Sequence, residues 1–134
     1  MRALLPFAVL ALGACASKGT DRIDTYQPPL GANEVLRGEI AAAPGHELVT
    51  GDLVLGAGAE VPSHYHHGEE FLYVIGGSAT LSRPGLPDLE LRAGEAFRIA
   101  PGTVHRAKAG PDGVRAVSNW VVPQGKPLRV AVPD

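Results

Sequence analysis

Residues 58–77 read GAEVPSHYHHGEEFLYVIGG, and three of the chain's five histidines stand within this stretch, beside Glu69 and Glu70. Such a concentration of a scarce residue asks for a chemical reason. If residues 63–67 form a strand, side chains alternate across it, so His64 and His66 share a face about 7 Å apart while Tyr65 and His67 point the other way. Gly68 permits a short turn. A following strand from Glu69 or Glu70, paired as a hairpin, would project Glu70 into the space of His64 and His66. His105 lies far along the chain, in another short strand after the Pro101-Gly102 turn. Two imidazoles at i and i+2, a nearby carboxylate and a distant third imidazole form a donor set for a divalent transition metal. With nitrogen and oxygen donors and no thiolate, the set suits Fe, Mn, Zn, Ni or Cu. Four protein ligands leave one or two positions open on a five- or six-coordinate ion. The alternative, a group of solvated polar residues, is the better reading for one histidine but not for four donors in this spacing. His46, in a loop after Pro44-Gly45, and His67 are read as solvated, and Glu69 as a rim charge.

The rest of the chain reads as short strands. Its 134 residues allow one domain, and 17 Gly with 12 Pro, scattered without a period, suit many turns rather than long helices. Apolar runs fall at 35–41, 47–55, 71–75, 78–82, 89–91, 96–100, 104–107, 115–122 and 128–132. Gly76-Gly77 reads as a hairpin turn, Gly51 as a bulge, and Gly94, Pro101-Gly102, residues 110–113 and 123–127 as breaks. About nine or ten strands at this spacing predict an all-β sandwich or barrel. Leu72 and Val74 share the face of Glu70 and should line the cavity, with Phe97 beside them. Arg98 is placed near the rim, where it could meet an anion. Trp120 belongs either to the core or to the cavity wall. Tyr65, Phe71, Tyr73 and Ile75 face outward, an apolar surface to be covered by the N-terminal segment or by a second copy in a homodimer.

Around the candidate ligands the resemblance becomes specific. Gly58, His64, His66, Glu70 and Gly77 match the first motif of the cupin superfamily at every fixed position, and Gly94, Gly102 and His105 match the second in spacing. The second motif departs from the family pattern at two places. Ala100 takes the place of its proline, with Pro101 displaced by one, and Ala109 takes that of its terminal asparagine. Neither position is a metal ligand in the family. The resemblance covers about residues 34–123 and implies a jelly-roll β-barrel of two antiparallel sheets, with a metal held inside the mouth by His64, His66, Glu70 and His105. It implies metal-dependent chemistry on a small-molecule substrate, dioxygenase-like oxidoreduction foremost. A non-catalytic module that binds a metal or small ligand is the alternative. Glu70 is the one candidate for a general base.

The amino terminus is of a different kind. Arg2 precedes an apolar run over residues 4–12 that is too short to span a bilayer as a helix. Leu12-Gly13-Ala14-Cys15 resembles a bacterial lipobox. Residues 1–14 are therefore expected to be a signal peptide, Cys15 the lipidated first residue of the mature chain, residues 15–33 a flexible tether, and residues 34–134 the cupin domain. An ordinary signal peptide cut near Ala14 or Ala16 would leave Cys15 incidental. Either way the chain is expected to be exported, to the periplasm or to the periplasmic face of a membrane through its lipid anchor. A net charge of −2, with cations spread singly, argues against a nucleic-acid partner.

Overall fold

The structure, a computed structural model, describes residues 25–133. The expected signal peptide, Cys15 and the tether as far as residue 24 lie outside the described residues. Eight strands follow: β1 Gly31–Glu39, β2 His46–Leu55, β3 Glu60–Tyr65, β4 Glu69–Ser82, β5 Leu89–Arg92, β6 Ala96–Ile99, β7 His105–Pro123 and β8 Val130–Ala131. There is no helix among the described residues, and every strand pair is antiparallel.

The two long strands organise the jelly roll. The first half of β4 pairs with β6 and with the second half of β7, which in turn pairs with β2 and through it β1. The second half of β4 pairs with β5 and with the first half of β7, which also pairs with β3. β3 carries β8 on its other edge. Because β4 and β7 run through both sheets, hydrogen bonding is continuous from one to the other. Alternation along these strands builds the interior. Val74, Ala79 and Leu81 of β4 meet Leu91, Ile99, Ala109 and Val114 in one cluster, and Val49, Trp120 and Val122 form a second. Burying a valine as fully as Val49, Val74 or Val122 contributes about 1.5–3 kcal/mol.

Several expectations change here. Gly76-Gly77 is no hairpin turn, since β4 continues through it with register shifts on either side. β7 likewise passes through residues 110–113, where a break was expected. The physical reason is the same for both: each strand has the other alongside, so the glycines bend the pair without ending it. Gly77 has φ 69°, and a Cβ there would drive into the carbonyl oxygen of Gly113. β3 and β4 do not pair with each other, so Glu70 is not placed by a hairpin; it lies opposite Trp120 of β7 and Ile99 of β6. β1 starts at Gly31, so the last residues assigned to the tether are in the sheet. His46 opens β2 and is half-buried rather than solvated in a loop.

The expected outward face is present. Phe71, Tyr73 and Ile75 are 42%, 50% and 44% exposed. Arg98 is on this outer side, ion-paired to Glu69 and opposite Phe71, because its neighbour Ile99 takes the inward position. It is not at the cavity rim. Arg115 grips Asp52 through two hydrogen bonds of 3.1 and 2.8 Å and donates a third, 3.0 Å, to the Tyr26 carbonyl, tying the segment before β1 to the sheet.

Gly77→Ala is expected to lower stability by about 2 kcal/mol or more, since it combines a strained φ with a backbone clash. Gly76→Ala, with open space at its Cβ, should stay within about 1 kcal/mol of the parent. Urea unfolding midpoints of the two variants check the contrast.

Candidate metal centre

Two elements supply the histidines. His64 near the end of β3 and His105 at the start of β7 are directly paired residues, which sets their rings 4.2 Å apart between centroids. His66 lies just past β3, with its ring 4.9 Å from that of His64 and 5.3 Å from that of His105. All three are buried, and one ring nitrogen from each lies within 4.8 Å of the others. Glu70 enters from β4 and is also buried.

The backbone decides how the rings are used. His64 Nδ1 is 2.7 Å from the Pro62 carbonyl oxygen, His66 Nδ1 2.5 Å from that of Leu128, and His105 Nδ1 2.9 Å from that of Thr103. A carbonyl oxygen only accepts, so each Nδ1 carries the proton and each neutral ring keeps its lone pair on Nε2. Backbone groups that fix ring and tautomer in this way are typical support for a metal ligand. Burial, with the charges of neighbouring groups, pushes the His64 pKa down to about 4 against the pull of the Pro62 carbonyl, so this ring is neutral at neutral pH.

The carboxylate completes the donor set. Glu70 Oε2 is 3.1 Å from His66 Nε2 and 3.5 Å from His105 Nε2, while Ser118 donates its hydroxyl to Glu70 Oε1 across 2.8 Å. Burial works against the ionised carboxylate, but the adjacent His105 and His66 rings and the Ser118 hydroxyl outweigh it and hold the Glu70 carboxyl well below its ordinary range. The proton accounting is nevertheless in conflict. A lone pair facing a carboxylate oxygen at 3.1 Å needs positive charge between them. Trp120 donates its indole N–H to the same His66 Nε2 across 3.3 Å, which requires that atom to be unprotonated. One cation among the Nε2 atoms and Oε2 would supply that charge and would replace the indole N–H as the partner of the His66 lone pair. The three-histidine cluster thus fits a divalent metal, and its chemistry leaves the choice among first-row ions open.

A cavity of about 330 Å³ opens above these groups. Its walls include Leu53, Leu55, Leu72, Leu81 and Ile99. Leu72 lines it as expected. Val74 does not, being packed in the core, and Phe97 packs against that core with the Arg83 guanidinium 4.9 Å from its ring centre. Trp120 has both of its expected roles, buried against Val49 and Val122 and lining the cavity. His67 is half-buried, with its ring edge-on to Tyr65.

Sequence reasoning missed Ser118 and Arg129. Ser118 had a signal, since it alternates with Ala116, Trp120 and Val122 on the inward face of one strand. Arg129, also on the cavity wall, follows a proline-containing turn and carries no periodicity that would have placed it.

Residues 51–122 match the family model of the cupin domain. No curated protein matches the chain. Among solved structures, a cupin-like protein from Thermotoga maritima is 24% identical with a TM-score of 0.59, over 65% of this chain and 65% of its own. An uncharacterized conserved protein with a double-stranded β-helix domain from Klebsiella pneumoniae is 27% identical with a TM-score of 0.55, over 84% of this chain and 98% of its own. The DMSP lyase DddQ from Ruegeria pomeroyi is 20% identical with a TM-score of 0.55, over 67% of this chain and 44% of its own. The match thus spans about two thirds of the Thermotoga protein and under half of the lyase, and these likenesses concern the fold. The matched family segment runs from the middle of β2 to the end of β7, more than half of the sequence, and the chain belongs to the cupin family.

Proposed function

We propose that this cupin is an exported enzyme in which His64, His66, Glu70 and His105 hold a divalent transition metal, and that it carries out dioxygenase-like oxidoreduction on a small molecule bound in the cavity. The observation that supports this most directly is the set of three Nδ1 contacts to backbone carbonyls, which leave three clustered Nε2 atoms free as ligands, two of them beside one carboxylate oxygen. A bound Fe, Mn, Zn, Ni or Cu ion supplies Lewis acidity and, where it is redox-active, electrons for dioxygen chemistry. The chain's own residues do the rest. Pro62, Leu128 and Thr103 keep the rings in the correct tautomer. Ser118 holds one Glu70 oxygen and leaves the other for the ion. The leucine and isoleucine walls exclude water and orient the apolar part of a bound molecule. Glu70 is the only carboxylate among the described residues on the cavity wall, and it could act as a base only after leaving the ion, because a carboxyl held so far below its ordinary range is a weak proton acceptor.

A second reading is a non-catalytic binding module on the cell envelope. It is favoured by the apolar cavity wall, on which Trp120 and Arg129 are the only polar side chains among the described residues beyond the four proposed ligands. Both readings keep residues 1–14 as a signal peptide and Cys15 as the lipid anchor. Both also allow a second copy of the chain over the exposed Phe71, Tyr73 and Ile75.

Elemental analysis of protein made in the periplasm should find about one divalent metal per chain. His66→Ala and Glu70→Ala should lose most of it. Ser118→Ala should stay folded and bind the metal about 10- to 100-fold more weakly. Full metal content in the His66 and Glu70 variants would contradict the ligand assignment.

Oxygen consumption by the Fe(II)-loaded protein with flavonols, catechols and thiols separates enzyme from binder. Turnover with any of them supports the first reading, and none with all of them the second.

Cys15→Ala should move the protein from the membrane fraction to the soluble periplasm. An unchanged distribution would remove the lipid anchor from the proposal.

A further inference from the structure

Among the described residues, Arg129 is the only lysine or arginine on the wall of the cavity. The other arginines singled out above are engaged elsewhere: Arg98 with Glu69, Arg115 with Asp52 and Arg83 over Phe97. No ion pair or side-chain hydrogen bond engages the Arg129 guanidinium among the described residues.

The backbone under Arg129 is held on both sides. The carbonyl of Leu128 receives the His66 Nδ1 proton across 2.5 Å. Val130 pairs with Tyr65, next to His64. The residue that orients the His66 imidazole and the strand pair beside His64 therefore also anchor the arginine. Around it the cavity is apolar, with Leu53, Leu55, Leu72 and Leu81 on its walls. A strongly hydrated inorganic anion would find few hydrogen-bond donors there, whereas an anion with an apolar body could bury that body against the leucines.

We propose that the cavity takes a small organic anion with an apolar body, such as a monocarboxylate, and that Arg129 selects it by its charge. The inner half of this selection rests on the metal reading. A divalent ion with one carboxylate and three neutral imidazoles keeps a net positive charge, which adds to that of Arg129. The outer half rests on Arg129 alone. Trp120 also has a part, because its N–H now spends itself on the His66 lone pair that an ion would take. With that lone pair occupied, the indole donor faces the cavity and is available to an oxygen of the bound molecule.

Trp120 is the chain's only tryptophan, so its fluorescence reports binding without any need for turnover. The test titrates the full mature chain, metal-free and loaded with Zn(II), with benzoate, benzamide and acetate, and measures the metal content of each sample. Calorimetry repeats each titration independently of the fluorophore. Benzoate is expected to bind at least about 10-fold more tightly than its neutral isostere benzamide, and more tightly than acetate, which lacks the apolar body. Arg129→Gln should weaken benzoate about 10-fold or more and leave benzamide unchanged, and Arg129→Lys should recover part of the loss. Since Arg129 is exposed, these variants should keep the parent's thermal midpoint. Equal affinity for benzoate and benzamide, no benzoate binding, or unchanged benzoate affinity in Arg129→Gln would each overturn the proposal. If the chain holds no metal yet discriminates by charge through Arg129, the metal reading fails and this inference stands. If it holds metal without such discrimination, this inference fails alone.

Discussion

The antiparallel pairing of β4 with β7 is the constraint on which the rest of the molecule depends. These strands run together from Glu69 opposite Val121 to Ser82 opposite Arg106, and every other strand except β1 and β8 is hydrogen-bonded to one or both of them. The pair bends where Gly76 and Gly77 face Arg115 and Val114, so it contributes to both sheets and brings its two ends over one interior. Without that bend, His105 at the start of β7 could not share a cavity with Trp120 near its end.

The site follows from this pairing. Glu70 stands opposite Trp120, and Ser118 lies one inward position away, close enough for its hydroxyl to hold the carboxylate. β3, on the other flank of β7, sets His64 directly against His105. The loop before β8 then delivers the Leu128 carbonyl to His66. Three backbone carbonyls in three different segments thus choose the same tautomer for three rings. With the ring Nδ1 atoms turned to backbone carbonyls, an ionised carboxylate and an indole donor meet the inward-facing ring nitrogens, and that arrangement is more informative than ring proximity alone. The outer surface follows the opposite rule: charges there pair locally, as Glu69 does with Arg98, and serve the strand edges instead of the cavity.

Much of this was legible in the order of residues. The alternation around His64, the short strands and the matching glycine spacing were enough to expect an all-β jelly roll, and the four donors were expected to converge. The route of convergence was not legible. A glycine pair between apolar runs looks the same locally whether the chain reverses or continues with a bulge, because the deciding factor is whether a neighbouring strand is present to accept the hydrogen bonds. The expected hairpin at Gly76-Gly77 and the break at residues 110–113 both failed for that reason. Arg98 and Val74 were misplaced by a related difficulty. Alternation assigns a side chain to a face, but which part of the interior that face meets depends on strands distant in sequence.

The sequence by itself determined the candidate donors, the strand-and-turn character of the chain and its family, because these follow from residue type and short-range spacing. Tertiary structure alone decided which ring nitrogen faces inward, which hydroxyl supports Glu70 and which arginine reaches the cavity. Those depend on contacts such as His66 with Leu128 and Glu70 with Ser118, between residues 62 and 48 positions apart. Local periodicity cannot specify such contacts, since they exist only once the two long strands have paired and bent.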